Sequence, residues 1–373
     1  MRARALLGLL FVVAACATQG GGSTGVSNVP SAGDGPFRPL VDGELSSASV
    51  VPYVFVSSTA LYRAPSVVSV SGDPSSAEVW MYAVARQNGA DVIVRTHADD
   101  ARSFYGDVGD NADTSHPHHT APVVLQADQA WEGTSLAGPS ALLTGGQVLV
   151  FYAGAGGIGR ATSADGLAFT KSSGPVLAPD ATATWETTTP HAPSVAIFPD
   201  GSWHMLYGAG GGIGEATSAD GQTWTRAPGN PVLGPSATVD PSTLPTGAQP
   251  PFDEGQVDDP VLAPQTTLGG RLQVRVLYTG YGLSVGAAAP SSAIGLAGRY
   301  GDAGPLSRQA TPAYTVSLHE AAPAFFEYAG GSLLYVQEDD TSVDPTKPFT
   351  GIAAGYAPIA GMLPPPLPYP DTP

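Results

Sequence analysis

Residues 158–166, Ile-Gly-Arg-Ala-Thr-Ser-Ala-Asp-Gly, return about 55 positions later as residues 213–221, Ile-Gly-Glu-Ala-Thr-Ser-Ala-Asp-Gly. An apolar run precedes each copy, and an aromatic residue and Pro-Val-Leu follow it. These flanks are residues 148–154, Phe169 and residues 175–177 in the first copy, and residues 203–208, Trp224 and residues 231–233 in the second. Short apolar runs separated by turn signals, repeated with this period, are typical of β-propeller blades.

Weaker copies extend the repeat in both directions, to a total of five units. Each unit starts near an X-Pro dipeptide: Ala64-Pro65, Gly138-Pro139, Ala192-Pro193, Asp259-Pro260 and Ala322-Pro323. The sequence therefore predicts an all-β fold, a five-bladed β-propeller with four-stranded antiparallel blades, over residues 37–362. The fifth unit lacks an outer strand, and we expect the apolar run at residues 50–56 to supply it, because closing the ring removes exposed sheet edges.

The composition supports this fold class and excludes one class of partner. Among 373 residues there are 47 Gly and 36 Pro, which disfavour long helices, while 42% hydrophobic residues suffice for a substantial core. Charged residues make up only 13%, and the net charge is −17. Nucleic-acid binding needs clusters of Lys and Arg. The chain has two lysines, Lys171 and Lys347, and no basic run, so we expect no nucleic-acid partner.

The N-terminus has the pattern of an export signal. Arg2 and Arg4 precede an apolar run at residues 5–15, which is too short to span a bilayer and has the length of a signal-peptide core. The run ends in Val13-Ala14-Ala15-Cys16, which resembles a bacterial lipobox and implies lipid attachment to Cys16. An ordinary secretory signal with a cysteine nearby is the alternative. Cys16 is the only cysteine, so the mature chain has no thiol for a disulfide.

These features divide the chain and predict its location. Residues 1–15 form the lipoprotein signal peptide, residues 16–36 a Gly/Ser/Thr-rich tether, and residues 363–373 a Pro-rich tail. We expect a monomer in the bacterial cell envelope that contacts the membrane through its lipid anchor only. In a Gram-negative cell the anchor would lie in the outer membrane.

The repeated motifs resemble those of a known group of enzymes. The pattern Ile-Gly-x-Ala-Thr-Ser-x-Asp-Gly-x-x-Trp at residues 213–224, followed by Asn230-Pro231-Val232-Leu233, is similar to the five-bladed propellers of glycoside hydrolase families 43, 32 and 62. The resemblance covers roughly residues 45–360. It implies catalytic carboxylates that project into an axial funnel: an Asp before a blade-start Pro as base or nucleophile, a second such Asp that orients the substrate, and a Glu on a third blade as general acid.

The chain departs from that pattern at four of the five blade starts. Only Asp259 precedes its proline as a carboxylate, and Glu320 lies three residues before Pro323, one residue further than usual. We predict Asp259 and Glu320 as the catalytic pair, because glycosidases place two carboxylates across the scissile bond. Asp258, His191, Arg63 and Glu254 are the predicted substrate-binding residues. A solvated acidic loop is the alternative for residues 254–259.

Three other patterns favour structure over function or leave the choice open. Asp165-Gly166 and Asp220-Gly221 are turn signals, and the aromatic residue after each would pack between blades. The aromatic–acid pairs at residues 131–132, 185–186 and 252–253, each eight positions before its proline, favour a structural role. Residues 107–120 hold Asp110, Asp113, His116, His118 and His119, which could ligate a metal, but a polar loop is the preferred interpretation and no cofactor is predicted.

Two functional hypotheses remain. The chain is either an exported, lipid-anchored propeller that binds and hydrolyses a carbohydrate in its axial funnel, or a catalytically degenerate relative that binds a glycan or a protein at the cell surface. The sequence leaves open whether it is an enzyme. It also leaves open the sugar, the linkage and the stereochemical outcome.

Overall fold

A computed structural model of the chain describes residues 38–39, 53–55, 62–70, 78–98, 101, 104–106, 121–245, 250–266, 272–283, 291–315, 319–328, 331–340 and 349–358. Within these ranges the chain is all-β, and its helical segments are two single 3₁₀ turns at Ala130–Glu132 and Pro241–Thr243. No helix of the described residues has the length and hydropathy to cross a membrane.

Two short strands, β1 (Arg38–Pro39) and β2 (Tyr53–Phe55), precede five antiparallel sheets, which follow one another along the chain. Blade 1 comprises β3 (Tyr62–Ser69), β4 (Val79–Gln87), β5 (Ala90–Ala98), β6 (Tyr105–Gly106) and β7 (Val123–Leu125). Blade 2 comprises β8 (Ala137–Thr144), β9 (Gln147–Gly154), β10 (Gly157–Ser163) and β11 (Thr170–Lys171). Blade 3 comprises β12 (His191–Ile197), β13 (Trp203–Ala209), β14 (Gly212–Ser218) and β15 (Thr225–Arg226). Blade 4 comprises β16 (Gln256–Thr266), β17 (Leu272–Tyr281), β18 (Ser292–Tyr300) and β19 (Ser307–Arg308). Blade 5 comprises β20 (Glu320–Tyr328), β21 (Gly331–Asp340) and β22 (Phe349–Pro358).

The five sheets form a closed ring. The first strands of the blades, β3, β8, β12, β16 and β20, contact one another in sequence, and β20 contacts β3. One apolar cluster fills each of the five blade interfaces, so the core is divided into five layers between sheets. The second strand of each blade is buried on both faces, which explains its nearly continuous apolar sequence.

The N-terminal strands close blade 5. Tyr53–Phe55 pairs antiparallel with β22, with Tyr53 opposite Ala353 and Phe55 opposite Ile352. Arg38 and Pro39 pair further along the same strand. The predicted closure by residues 50–56 is confirmed for the three residues that the structure describes, and the five-bladed propeller is confirmed as the fold.

The aromatic–acid pairs are structural. In blades 2, 3 and 4 the acid accepts a hydrogen bond from a tyrosine of the second strand and pairs with a cation of the outer strand. We call each set a tyrosine–acid–cation clamp; its members are Tyr152, Glu132 and Lys171 in blade 2, Tyr207, Glu186 and Arg226 in blade 3, and Tyr278, Asp253 and Arg308 in blade 4. The tyrosine–acid distances are 2.7, 2.7 and 2.8 Å, and the acid–cation distances are 2.9, 2.6 and 2.6 Å. The clamps hold the segment that connects two blades against the blade that follows.

The Asp-Gly turns are also structural. Asp165 Oδ1 accepts hydrogen bonds from the backbone N–H groups of Leu167 and Ala168, and Asp220 does the same two and three residues on. Phe169 then packs edge-on against Tyr82, and Trp224 against Phe151. Both contacts cross a blade interface, as the sequence predicts.

Candidate functional site

The five X-Pro dipeptides meet on the axis of the ring. Together they line a cavity of about 30 Å³, which has room for one or two water molecules. Each inner strand has a β-bulge at this point, because its pairing with the second strand shifts register across the dipeptide. The residue before each proline is therefore turned out of the ladder and onto the axis.

These five residues share a backbone conformation that side chains disfavour. Their φ angles are +46° at Ala64, +50° at Gly138, +44° at Ala192, +47° at Asp259 and +47° at Ala322. A residue other than glycine in this region costs on the order of 1–3 kcal/mol, which the surrounding fold must offset. Four of the five positions carry a methyl group or a hydrogen, and Asp259 is the single carboxyl group that reaches the axial cavity from them.

Asp258 connects blade 4 to blade 3. Its Oδ2 lies 2.9 Å from Nε2 of His191, 67 residues earlier in the chain, and accepts a second hydrogen bond of 2.9 Å from the side-chain amide of Gln256. Its Oδ1 accepts from the backbone N–H of Asp259 at 2.8 Å. Gly208 lies against this pair, and a Cβ atom there would collide with Asp258 Oδ1. All of these contacts hold Asp258 in one orientation.

His191 is a cation in this environment. Burial lowers the pKa of His191, but the hydrogen bond and the charge of Asp258 outweigh burial and raise the pKa to about 9. The second ring nitrogen, Nδ1, donates to the carbonyl oxygen of Thr189 at 2.8 Å. The side chain of His191 is 35% exposed, so the imidazolium remains accessible to a ligand.

The environment of Asp259 favours the neutral form of its side chain, whereas that of His191 favours the charged form. Protein surrounds its carboxyl group although part of its surface faces the axial cavity, and burial is the largest cause that raises its pKa. The neighbouring charge of Asp258 raises it further, whereas the hydrogen bond from Thr279 and the charge of His191 lower it; the resulting pKa is about 7. Near neutral pH the site therefore offers a proton at Asp259 next to the paired His191 and Asp258.

Two other predicted substrate-binding residues do not join this cluster. Arg63 occupies the same register position in blade 1 as His191 in blade 3, but its guanidinium pairs with Asp91 at 2.5 Å and is 36% exposed. Glu254 is 8% exposed and accepts a hydrogen bond of 3.2 Å from the backbone of Val239. The structure thus brings Asp258, Asp259 and His191 together and places Arg63 and Glu254 in other contacts.

Glu320, the second predicted catalytic residue, begins the inner strand of blade 5. It lies directly opposite Glu338 on β21, and both side chains are fully buried. Burial, together with the charges of Glu338 and Glu320, raises the pKa of the nearby Tyr314. Glu320 has no exposed surface here, so its catalytic role remains a prediction.

Three residues of the site were absent from the sequence-based prediction. They are Gln256, Gly208 and Thr279. Thr279 in blade 4, Gly208 in blade 3 and Ala153 in blade 2 occupy the same position on the second strand of their blades, opposite the last inner-strand residue paired before the bulge. Comparing the repeats at this position would have shown a hydroxyl only in blade 4, next to the one blade-start aspartate.

Several predictions concern residues that the structure does not describe. The predicted signal peptide at residues 1–15, the tether at residues 16–36 and the Pro-rich tail at residues 363–373 lie outside the described residues. Cys16 and the histidine-containing segment 107–120 both lie outside the described residues. Among the residues that are described, no group of three His, Cys, Asp or Glu side chains is placed to hold a metal ion.

Comparison with known proteins identifies the class of fold. The sequence matches no family model. No curated protein matches either. Solved structures do match over most of its length. BT0996, in a structure of its complex with RGII, is 18% identical with a TM-score of 0.57, covering 87% of this protein and 94% of the other. A glycosyl hydrolase from Bacteroides ovatus is 14% identical with a TM-score of 0.55, covering 86% and 93%. A thermostable family-43 glycoside hydrolase is 13% identical with a TM-score of 0.52, covering 85% and 98%.

At these identities the similarity concerns the fold. The chain has a five-bladed propeller fold, and glycoside hydrolases are among the solved structures that share it. Which chemistry this fold supports depends on the residues at the axis.

Proposed function

We propose that the chain is a carbohydrate-binding propeller of the bacterial cell envelope, with its ligand held at the axial end of blades 3 and 4. The observation that carries this proposal is the cluster of His191, Asp258 and Asp259 beside the axis. Sugars present hydroxyl groups that both donate and accept hydrogen bonds. The protonated form of Asp259 donates and its ionised form accepts, whereas both N–H groups of His191 are bonded to Asp258 and Thr189, so that His191 contributes its positive charge to the site.

Binding takes precedence over hydrolysis for two reasons. A glycosidase needs two carboxyl groups on either side of the scissile bond. Four of the five blade-start positions carry Ala or Gly, both oxygens of Asp258 already accept hydrogen bonds, and Glu320 is fully buried. The axial cavity of about 30 Å³ is also far below the several hundred Å³ of ordinary ligand pockets, so the sugar would sit above it.

Glycosidic-bond hydrolysis is the second candidate, and Asp259 favours it. A carboxyl group with a pKa of about 7 can donate a proton to a leaving group near neutral pH, as a general acid must. Under the hydrolysis hypothesis, Glu320 is the second catalytic carboxylate, and its side chain has to become exposed when the substrate binds.

A panel of polysaccharides separates the two candidates. The purified mature chain is tested against arabinan, xylan, fructan and mannan by affinity electrophoresis for binding and by release of reducing sugar for hydrolysis. We expect retention on at least one polysaccharide, weakened about tenfold by Asp259→Asn because the ionised carboxylate acceptor is lost. Asp200→Asn, in the exposed turn between β12 and β13, is the control and should bind like the wild type.

The outcomes are distinct. Sugar release that Asp259→Asn abolishes would establish hydrolysis, and retention without release would establish binding alone. Absence of both on every polysaccharide would contradict the proposal and favour a protein ligand.

We also propose attachment of the chain to the envelope through a lipid on Cys16, as a monomer. Support comes from the lipobox-like residues 13–16 and the tether that follows. Metabolic labelling with a radioactive fatty acid should mark the wild-type chain and not Cys16→Ser. Equal labelling of both would rule out this anchor, and light scattering of the detergent-solubilised chain measures its oligomeric state.

A further inference from the structure

The inner strands are joined across three blade interfaces by the same hydrogen bond. A serine one residue after the blade-start proline accepts the backbone N–H of the next inner strand. The pairs are Ser66 with Ala141, Ser140 with Val195, and Ser194 with Leu262, at 2.9, 3.0 and 2.8 Å. Blades 1, 2 and 3 are thus each joined to the next blade by a hydroxyl on the inner strand.

Blade 4 uses a different residue for this connection. Val261 stands where blades 1, 2 and 3 have serine, and it has no hydroxyl. The bond to blade 5 comes from the second strand instead, where Thr279 Oγ1 accepts the backbone N–H of Ala322 at 2.9 Å. Ala322 is itself the blade-start residue that lines the axial cavity.

The same hydroxyl serves Asp259. Thr279 Oγ1 lies 3.0 Å from Asp259 Oδ2 and donates its one proton there, because an ionised carboxylate can only accept a hydrogen bond, while an oxygen lone pair of the same hydroxyl accepts the N–H of Ala322. Thr279 has no exposed surface, so this geometry is enforced by packing. The blade that carries the axial carboxyl group is therefore also the blade in which the interface hydroxyl contacts that group.

We propose that Thr279 is the positioning residue of the axial site: its hydroxyl orients the carboxyl group of Asp259 and couples that orientation to the backbone of blade 5 at Ala322. This inference rests on the proposed function, in which Asp259 contacts the ligand. Donation from Thr279 to Oδ2 fixes one oxygen of the carboxyl group, and the backbone N–H of Ala322 also stabilises its ionised form. A movement of Ala322 then shifts the hydroxyl of Thr279, and with it the hydrogen bond that Asp259 accepts.

The test measures Asp259 directly and needs no carbohydrate. The carboxyl carbon of Asp259 is titrated by NMR in the full mature chain labelled with ¹³C-aspartate, with Asp259→Asn to assign the signal. Thr279→Val keeps the shape of the side chain and removes the hydroxyl. We expect the midpoint of Asp259 to move upward by about 1 pH unit, because a hydrogen bond to the ionised form is lost while the charges of Asp258 and His191 remain.

Two matched variants separate positioning from a purely structural role. Thr279→Ser keeps the hydroxyl and should restore the wild-type midpoint. Ser140→Ala removes the equivalent bond between blades 2 and 3, far along the ring, and should lower the melting temperature without moving the Asp259 midpoint. If Thr279→Val does not fold, Thr279→Cys supplies a weaker donor of similar size and should move the midpoint upward by less.

An unchanged Asp259 midpoint in folded Thr279→Val or Thr279→Cys would overturn the inference. So would an equal shift in Ser140→Ala, since the effect would then be general loosening of the ring. Because the titration uses no ligand, a negative polysaccharide panel and a negative titration are separate results.

Discussion

Blades 3 and 4 have the same strand layout, the same bulge at the inner strand and the same kind of tyrosine–acid–cation clamp, yet they present different groups to the axis. At the blade-start position blade 3 has Ala192 and blade 4 has Asp259, with φ angles of +44° and +47°. The backbone that exposes the side chain is therefore common to both blades. The shared backbone therefore fixes which position faces the axis, and the side chain at that position determines which chemical group is presented there.

The two blades also cooperate. Asp258 of blade 4 reaches back to His191 of blade 3, while Asp259 reaches forward to the interface with blade 5 through Thr279. Consecutive residues thus cross two different interfaces. The site depends on the relative position of three blades.

The largest expected effect comes from breaking the interface between blades 3 and 4. Glu215 of β14 pairs with Arg299 of β18 through two hydrogen bonds of 2.6 and 2.9 Å and lies 3.0 Å from His204, and all three side chains are almost fully buried. Glu215→Gln leaves the guanidinium without its counter-charge, which costs about 3–5 kcal/mol for a buried pair. Urea unfolding followed by tryptophan fluorescence measures the loss.

The exposed pair of Arg86 with Asp91 is the control for that variant. Its nitrogen–oxygen distance is 3.1 Å and Arg86 is 49% exposed, so Arg86→Gln should change the free energy of unfolding by less than about 0.5 kcal/mol. Similar losses in the two variants would mean that the buried cluster does not join the blades.

A reciprocal exchange at one register position tests the contact between His191 and Asp258. Gly208→Ala in blade 3 places a methyl group against Asp258, and we expect a loss of about 1–3 kcal/mol from overpacking and displacement of the carboxylate. The pKa of His191 should fall from about 9 as its partner moves away. NMR titration of the imidazole measures this shift.

Ala153→Gly, the opposite change at the equivalent position of blade 2, is the matched variant. It should cost about 0.5–1 kcal/mol through backbone entropy and leave His191 unchanged. A normal His191 titration in Gly208→Ala would show that Asp258 can move without losing its partner.

The smallest expected effect depends on pH and concerns Asp259 itself. Its folded pKa of about 7 lies above the usual value of 3.8, so the folded state binds the proton more tightly than the unfolded state. Stability is therefore lost as pH rises from about 4 through 7. Asp259→Asn removes this dependence and should gain stability relative to the wild type as the pH rises to 8, with little difference at pH 4.

Urea unfolding midpoints of both proteins between pH 4 and pH 8 provide the measurement. Asp200→Asn, at the exposed turn, should keep the wild-type slope near neutral pH, because hydrogen bonds from Ser202 lower the pKa of Asp200 and place its titration at acidic pH. A gap between wild type and Asp259→Asn that stays constant with pH would show that the carboxyl group is ionised across the whole range.

Much of the architecture could be predicted because it depends on local sequence patterns. The period near 55, the X-Pro dipeptides and the Asp-Gly turns each depend on a few neighbouring residues, and they predicted five blades, the closing strand and the structural role of residues 131–132, 185–186 and 252–253. The resemblance to glycoside hydrolases pointed to Asp259 at the axis. Thr279, Gln256 and Gly208 were missed because their roles come from pairing registers that no local pattern reveals.

The sequence by itself determined the repeat, the all-β class and the single blade-start carboxylate, since strand, turn and proline preferences act over a few residues. Only the tertiary structure decided which groups meet. Asp258 finds its partner 67 residues away, Asp259 takes a donor from a neighbouring strand, and burial moves the pKa of Asp259 upward while pairing moves that of His191 upward. These are effects of distance and dielectric between blades, which exist once the ring has closed.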